Sequence, residues 1–245
     1  MAYIIRVVGD VHGKYGPYAK IIKNGPPSVQ VGDMGVGFIR YSGPRHGSFD
    51  RNPPHQKMVE ANAKFIRGNH DNPRVCKNHS QCIPDGTVDG NVMYIGGALS
   101  VDRQWRQRDY NWWPDEELSY TELMKLIDVY EAAKPEIMIT HDCPSYAAQI
   151  LCALNQKRHI DDGSRTRPAL ESMFNIHKPK LWIHGHWHLN SDQTIKGTRF
   201  ICLNELAWVD INLDTGEVVN DGTTEFGCIK QEYPQTEEYD AGVIE

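Results

Sequence analysis

The 245-residue chain has no apolar run long enough to span a bilayer, which excludes an integral helical membrane protein. It opens on Met1-Ala2-Tyr3 and runs straight into a strand-like segment with no signal peptide, so the expected location is cytoplasmic, with no membrane partner. A cationic surplus is missing too. With 26 Lys and Arg against 32 Asp and Glu, the net charge of -6 argues against a broad nucleic-acid surface. Cysteine is sparse: Cys76, Cys82, Cys143, Cys152, Cys202 and Cys228 are scattered, and in a reducing compartment they are expected as free thiols. Cys76-x2-His79-x2-Cys82 has zinc-like spacing but offers only three ligands in a short polar loop, so no structural zinc is expected there. Internal repeats and low-complexity linkers are absent. The expectation is one domain over 1–220, followed by a polar, acidic tail over 221–245.

What the chain does have is a series of short polar runs. They are Gly9-Asp10-Val11-His12-Gly13, Gly32-Asp33-Met34-Gly35, Gly68-Asn69-His70-Asp71, Thr140-His141-Asp142-Cys143-Pro144 and Gly185-His186-Trp187-His188. Each follows an apolar segment rich in β-formers, such as Tyr3 to Val8 or Ile137 to Thr140. A buried strand that stops at a turn and is followed by acids or His delivers its polar end into a loop. In open α/β sheets such ends gather on one side, so distant residues can converge without special loops. Any one of these histidines alone reads most simply as a core or surface residue. As an ordered set of Asp, His and Asn side chains they read as ligands for two metal ions.

In these five motifs the chain resembles the calcineurin-like metallophosphoesterases, whose signature is D-x-H, G-D, G-N-H, a lone His and G-H-x-H in that order. The match spans positions 9 to 188 and lacks no motif. The resemblance implies a four-layer αββα sandwich of two mixed sheets. It implies that Asp10, His12, Asp33 and His188 hold one ion and that Asp33, Asn69, His141 and His186 hold the other, Asp33 bridging. His70 and Asn69 are the implied catalytic pair, His70 contacting the scissile phosphate or protonating the leaving group. The implied reaction is a single in-line displacement by a hydroxide shared between two divalent ions. Mixed His, carboxylate and amide donors suit manganese first, with iron or zinc as alternatives.

The chain departs from the protein serine/threonine phosphatases of that family, which read G-D-x-V-D-R-G and G-N-H-E. Here G-D-M-G-V-G and G-N-H-D supply neither the phosphate-gripping arginine of the second motif nor the carboxylate that orients the histidine. Replacement cations are sought in Arg103, Arg106 and Arg108, with Arg103 ranked first, and in Arg67 ahead of G-N-H-D. Trp112 and Trp113 are either a stacking platform or local core. The expected activity is hydrolysis of phosphate monoesters on a small phosphorylated substrate or a phosphoprotein. The alternatives are a phosphodiesterase acting on cyclic nucleotides or nucleic-acid ends and, behind it, a noncatalytic scaffold of the same fold.

Helices are expected over Lys14 to Lys23, Asp115 to Ala133, Ser145 to Leu154 and Pro168 to Phe174. The excursion at 36–55 reads as an irregular lid-like loop. Four strands between Gln193 and Val219 are expected to make a second, mostly antiparallel sheet.

Overall fold

The computed structural model of the protein describes residues 3–38, 52–155 and 163–222. Strand β1 (Ile4–Val8) leads through helix α1 (Tyr15–Ile22) to β2 (Ser28–Gln30), and α2 (His55–Glu60) leads to β3 (Ala63–Phe65). These strands pair in parallel. After α3 (Pro73–Lys77) come β4 (Thr87–Asp89), β5 (Val92–Ile95), a 3-10 turn at Arg103–Trp105 and α4 (Tyr120–Ala133). Then follow β6 (Ile137–Thr140), α5 (Ser145–Leu154), α6 (Thr166–Ile176) and β7 (Leu181–His184). The last strands are β8 (Ser191–Ile195), β9 (Thr198–Cys202), β10 (Trp208–Asn212) and β11 (Val218–Asp221).

Two mixed sheets result, one ordered β11-β10-β1-β2-β3 and the other β4-β5-β6-β7-β9-β8. The strands after Gly185-His186-Trp187-His188 therefore do not form a sheet of their own, as their alternation had suggested. β9 pairs in parallel with β7, while β10 pairs antiparallel with β1. Each hairpin saturates the open backbone edge beside it, a choice that local alternation does not encode.

A period of two along each strand sorts the side chains into layers. On β6, Ile137 and Ile139 enter the core between the sheets with Val7, Val29, Ile183 and Ile211, whereas Met138 turns outward. The outer face of the second sheet packs Met138, Trp182 and Phe200 against Tyr130 of α4, Leu151 of α5 and Phe174 of α6. The outer face of the first packs Val8 and Phe65 against Tyr18, Ile22 and Met58 of α1 and α2. The product is the four-layer αββα sandwich.

Helix α4 begins at Tyr120 rather than Asp115. Ser119 accepts from the Glu122 amide while the Glu122 carboxylate accepts from the Ser119 amide, a reciprocal cap that sets the start. The preceding Glu116 and Glu117 are buried and engaged elsewhere. Lys134 closes the helix in the left-handed region, at φ 44, just ahead of Pro135. Residues 39–51 of the expected lid-like excursion, Cys228 and nearly all of the acidic tail lie outside the described residues. Among the described residues, no helix is long and apolar enough to cross a membrane.

Candidate metal centre

The carboxyl ends of β1, β2 and β3 on one sheet and of β6 and β7 on the other open onto the same side. There the five motifs meet. Two groups of side chains each bring their ligand atoms within 4.8 Å of one another: Asp10, His12, Asp33 and His188, and Asp33, His141 and His186. Asp33 belongs to both. The Asn69 Oδ1 lies 3.0 Å from His141 Nε2 and joins the second group. His141 Nε2 is also 3.2 Å from Asp33 Oδ1, and His188 Nε2 is 3.3 Å from Asp10 Oδ2. Neither group includes Cys76, His79 or Cys82. His79 instead rests edge-on against Phe65 and His55.

Local chain geometry makes this convergence feasible. A β-carbon at Gly68 would collide with the Asp33 carboxylate and one at Gly185 with the Asp10 carboxylate, so only glycine lets those loops approach. His12, Asp33, His186 and His188 adopt φ values of 48, 57, 67 and 50, in the left-handed region that costs an L-residue about 1–2 kcal/mol. Strain concentrated on four candidate ligands marks a site at which convergence outweighs local stability. The loops are tied together by backbone bonds, His12 N–H donating to Asp33 O at 2.7 Å and Gly13 N–H to Met34 O at 3.0 Å. Buried Gln30 adds a further tie, donating to Gly9 O at 3.1 Å and accepting from Gly32 N–H at 3.2 Å.

The electrostatics of the cluster fit cations. Asp10 and Asp33 are fully buried, which opposes their charge, yet the surrounding imidazoles hold both below the usual carboxylate range. Burial likewise opposes charge on His141, but the Asp33 carboxylate overrides it and raises that imidazole to about 10. His12 Nε2 faces His188 Nε2 at 2.9 Å, an approach of two nitrogens that suits a shared positive centre. Two buried carboxylates surrounded by four imidazoles and one amide oxygen therefore demand positive charge, and divalent ions match both the demand and the donor chemistry.

The sequence profile of the calcineurin-like phosphoesterases matches residues 4–190, which is most of the chain. The chain belongs to that family. No curated protein matches it significantly in sequence. Among solved structures it is similar to a candidate 5′-nucleotidase of Staphylococcus aureus, at 12% identity and a TM-score of 0.51 over 90% of this chain and 52% of that one. It therefore spans about half the length of that nucleotidase, and the likeness concerns fold. A second similar structure is an uncharacterised Streptococcus pneumoniae protein described as a predicted phosphoesterase, with 12% identity, a TM-score of 0.35 and coverage of 86% and 84%.

The structure places the arginines differently from the ranking read from the sequence. Arg106 is the one beside the centre, its guanidinium 2.7 Å from His70 Nε2 and 2.6 Å from the Asp102 carboxylate. Arg103 donates to the Ser100 carbonyl at 3.2 Å. Arg108 is exposed beside Asp109. Arg67 is buried, paired with Asp85 at 2.7 Å and donating to the carbonyls of Asp115 and Glu116. Nearness in sequence to the β5 end was a poor guide, because the 3-10 turn at Arg103–Trp105 redirects the chain. Trp113 is core.

Because an arginine can only donate, His70 Nε2 accepts its hydrogen bond. Burial, reinforced by Arg106 and only partly opposed by Asp33, lowers the His70 imidazole to about 3 and keeps it neutral. The ring also stacks on Phe38 at 4.7 Å.

Several residues next to the centre were not singled out in the sequence. Asp71, the last letter of G-N-H-D, does not orient His70. Its buried carboxylate instead accepts from the amides of Gly35, Val36 and Gly68 at 2.7–2.8 Å, stitching the second motif to the third. Asp142 accepts from Trp187 Nε1 at 3.0 Å and from Arg167 at 3.3 Å, bracing the segment that carries His186 and His188. Glu205 stands 3.8 Å from His12 and pairs with Lys14. The only signal in the sequence was the acidity of the letters following His70 and His141, and it carries no direction.

Proposed function

We propose that the protein is a cytoplasmic phosphatase that hydrolyses phosphate monoesters at a dinuclear centre, with manganese as the favoured metal. The observation that carries the reading is Asp33, whose carboxylate lies in both ligand groups. Asp10, His12 and His188 would hold one ion with it, and Asn69, His141 and His186 the other. When bound, the cations supply Lewis acidity and a nucleophilic water at neutral pH.

The protein's own groups do the rest. Asn69 turns its amide oxygen toward the second ligand group, and His70 and Arg106 face the phosphate together, His70 holding the guanidinium in place. A monoester has three terminal phosphate oxygens, so one remains for Arg106 after two meet the centre, whereas a diester has only two. This favours the monoester over the diester reading.

The test is a hydrolysis panel in manganese comparing an aryl phosphate monoester with the matching diester. Faster turnover of the monoester is expected, and preference for the diester would overturn the assignment.

The arginines separate in the same assay. Arg106→Ala is expected to lower kcat/KM by about 10- to 100-fold with metal content and melting temperature unchanged. Arg67→Ala should instead destabilise the fold by about 3 kcal/mol, because Asp85 loses its buried partner. Thermal melts beside the kinetics check both expectations, and wild-type constants for Arg106→Ala would remove it from the phosphate site.

A further inference from the structure

Ser100 follows the β5 end in Gly96-Gly97-Ala98-Leu99-Ser100 and is 1% exposed. Its hydroxyl has one proton and two lone pairs, and all are used. The proton goes to Glu116 Oε2 at 2.6 Å, while the lone pairs accept from Asn69 Nδ2 at 3.1 Å and Arg106 Nη1 at 3.1 Å. The Ser100 amide donates to the other Glu116 oxygen at 2.8 Å, so both carboxylate oxygens grip one residue. Glu116 is 3% exposed, and its carbonyl accepts from buried Arg67 at 2.7 Å.

We propose that Ser100 and Glu116 are a pair of positioning residues that set the metal-ligand amide of Asn69 and the phosphate-facing guanidinium of Arg106 from a single hydroxyl. The inference rests on the dinuclear phosphatase reading and deepens it.

The argument is directional. Asn69 offers its oxygen to the ligand group only if its amino group is held on the other side, and Ser100 Oγ is the acceptor found there. That oxygen is an acceptor for both Asn69 and Arg106 only while its own proton points elsewhere. Glu116, as a carboxylate accepting from both Ser100 groups, takes that proton and fixes the hydroxyl's orientation. Arg67 in turn fixes the Glu116 backbone. Cation binding and substrate orientation thus share one anchor, although neither Ser100 nor Glu116 belongs to the ligand set. Partners of this kind typically contribute 10- to 100-fold to metal affinity.

The experiment uses the full chain, stripped of metal and titrated with manganese(II) chloride by calorimetry, alongside steady-state kinetics on an aryl phosphate monoester. Ser100→Ala is expected to weaken one of the two manganese equivalents by about tenfold or more and to raise KM, both in one variant. Arg106→Ala should raise KM alone. Added to Arg106→Ala, the Ser100 change should raise KM no further, since the two share one contact.

Glu116→Gln keeps the side-chain volume but presents an amino group to Ser100. That turns the hydroxyl proton back toward Asn69 and Arg106, and the same paired loss is expected. Wild-type manganese affinity in both Ser100→Ala and Glu116→Gln would overturn the proposal. So would equal loss of both manganese equivalents together with the melting transition, which would mark Ser100 as part of the fold only. A wild-type protein that binds no second manganese ion would instead defeat the dinuclear reading, a result distinguishable without any variant.

Discussion

Stripping the protein of divalent metal should reduce hydrolysis of an aryl phosphate monoester to background, and manganese(II) should restore it as two equivalents per chain are taken up. The expectation follows from charge. Asp10 and Asp33 are buried among the four histidines and one amide of the two ligand groups, and the ion pairs of both carboxylates among the described residues are with histidines. With the cations gone, only protonated imidazole is left to balance the carboxylates, as His141 shows. A proton neutralises the site but lends no Lewis acidity to phosphorus and no nucleophile. Losing several kcal/mol of transition-state stabilisation removes ~10³-fold or more of the rate. Elemental analysis, titration of the stripped protein and turnover at each step would measure it. Undiminished turnover in metal-free protein, or full activity with a single ion, would break the dinuclear assignment.

Asp33→Asn is expected to be the most damaging single substitution, abolishing turnover together with occupancy of at least one metal position. Asparagine tolerates the left-handed backbone at φ 57, so the fold should persist and the melting temperature should change little. What changes is the charge and one of the two oxygens. Asp33 Oδ1 faces His141 at 3.2 Å and accepts from the His70 amide at 2.7 Å, while Oδ2 faces His12 at 3.7 Å. An amide can offer an oxygen to only one of those directions and an amino group to the other, which repels a cation. The centre loses its shared ligand and the charge that offsets repulsion between two cations. Metal analysis and kinetics on the purified variant check this, and retention of both ions with a rate within tenfold of wild type would show that Asp33 does not bridge.

The candidate ligands were legible in the chain because their determinants are local. An apolar run of alternating β-formers that stops at Gly9, Gly32 or Gly68 declares both a strand and the loop that ends it. The order of Asp10, His12, Asp33, Asn69, His141, His186 and His188 then names the chemistry. The α/β class followed from the same signals, strands alternating with amphipathic helices, whereas the four-layer arrangement of two sheets came from the family resemblance that the motifs carry. Helix α4 was visible too, though its start was not. Placing it required knowing that Ser119 and Glu122 cap each other while Glu116 turns inward to Ser100.

The tertiary structure alone decided everything that depends on direction. Which arginine lies beside His70 and the ligand groups turned on a 3-10 turn and on two acceptors, His70 Nε2 and Ser100 Oγ, that lie 36 and 6 residues from Arg106. The placing of Asp71 against the second motif rather than against His70 turned on which backbone amides point at a buried carboxylate. The division of the last four strands between two sheets turned on which edge stood open beside each hairpin. Residue type and spacing encode which groups a chain carries and where its strands end. The direction in which a buried hydrogen-bonding group points is settled by partners far away in sequence, and only the packed structure brings those partners into range.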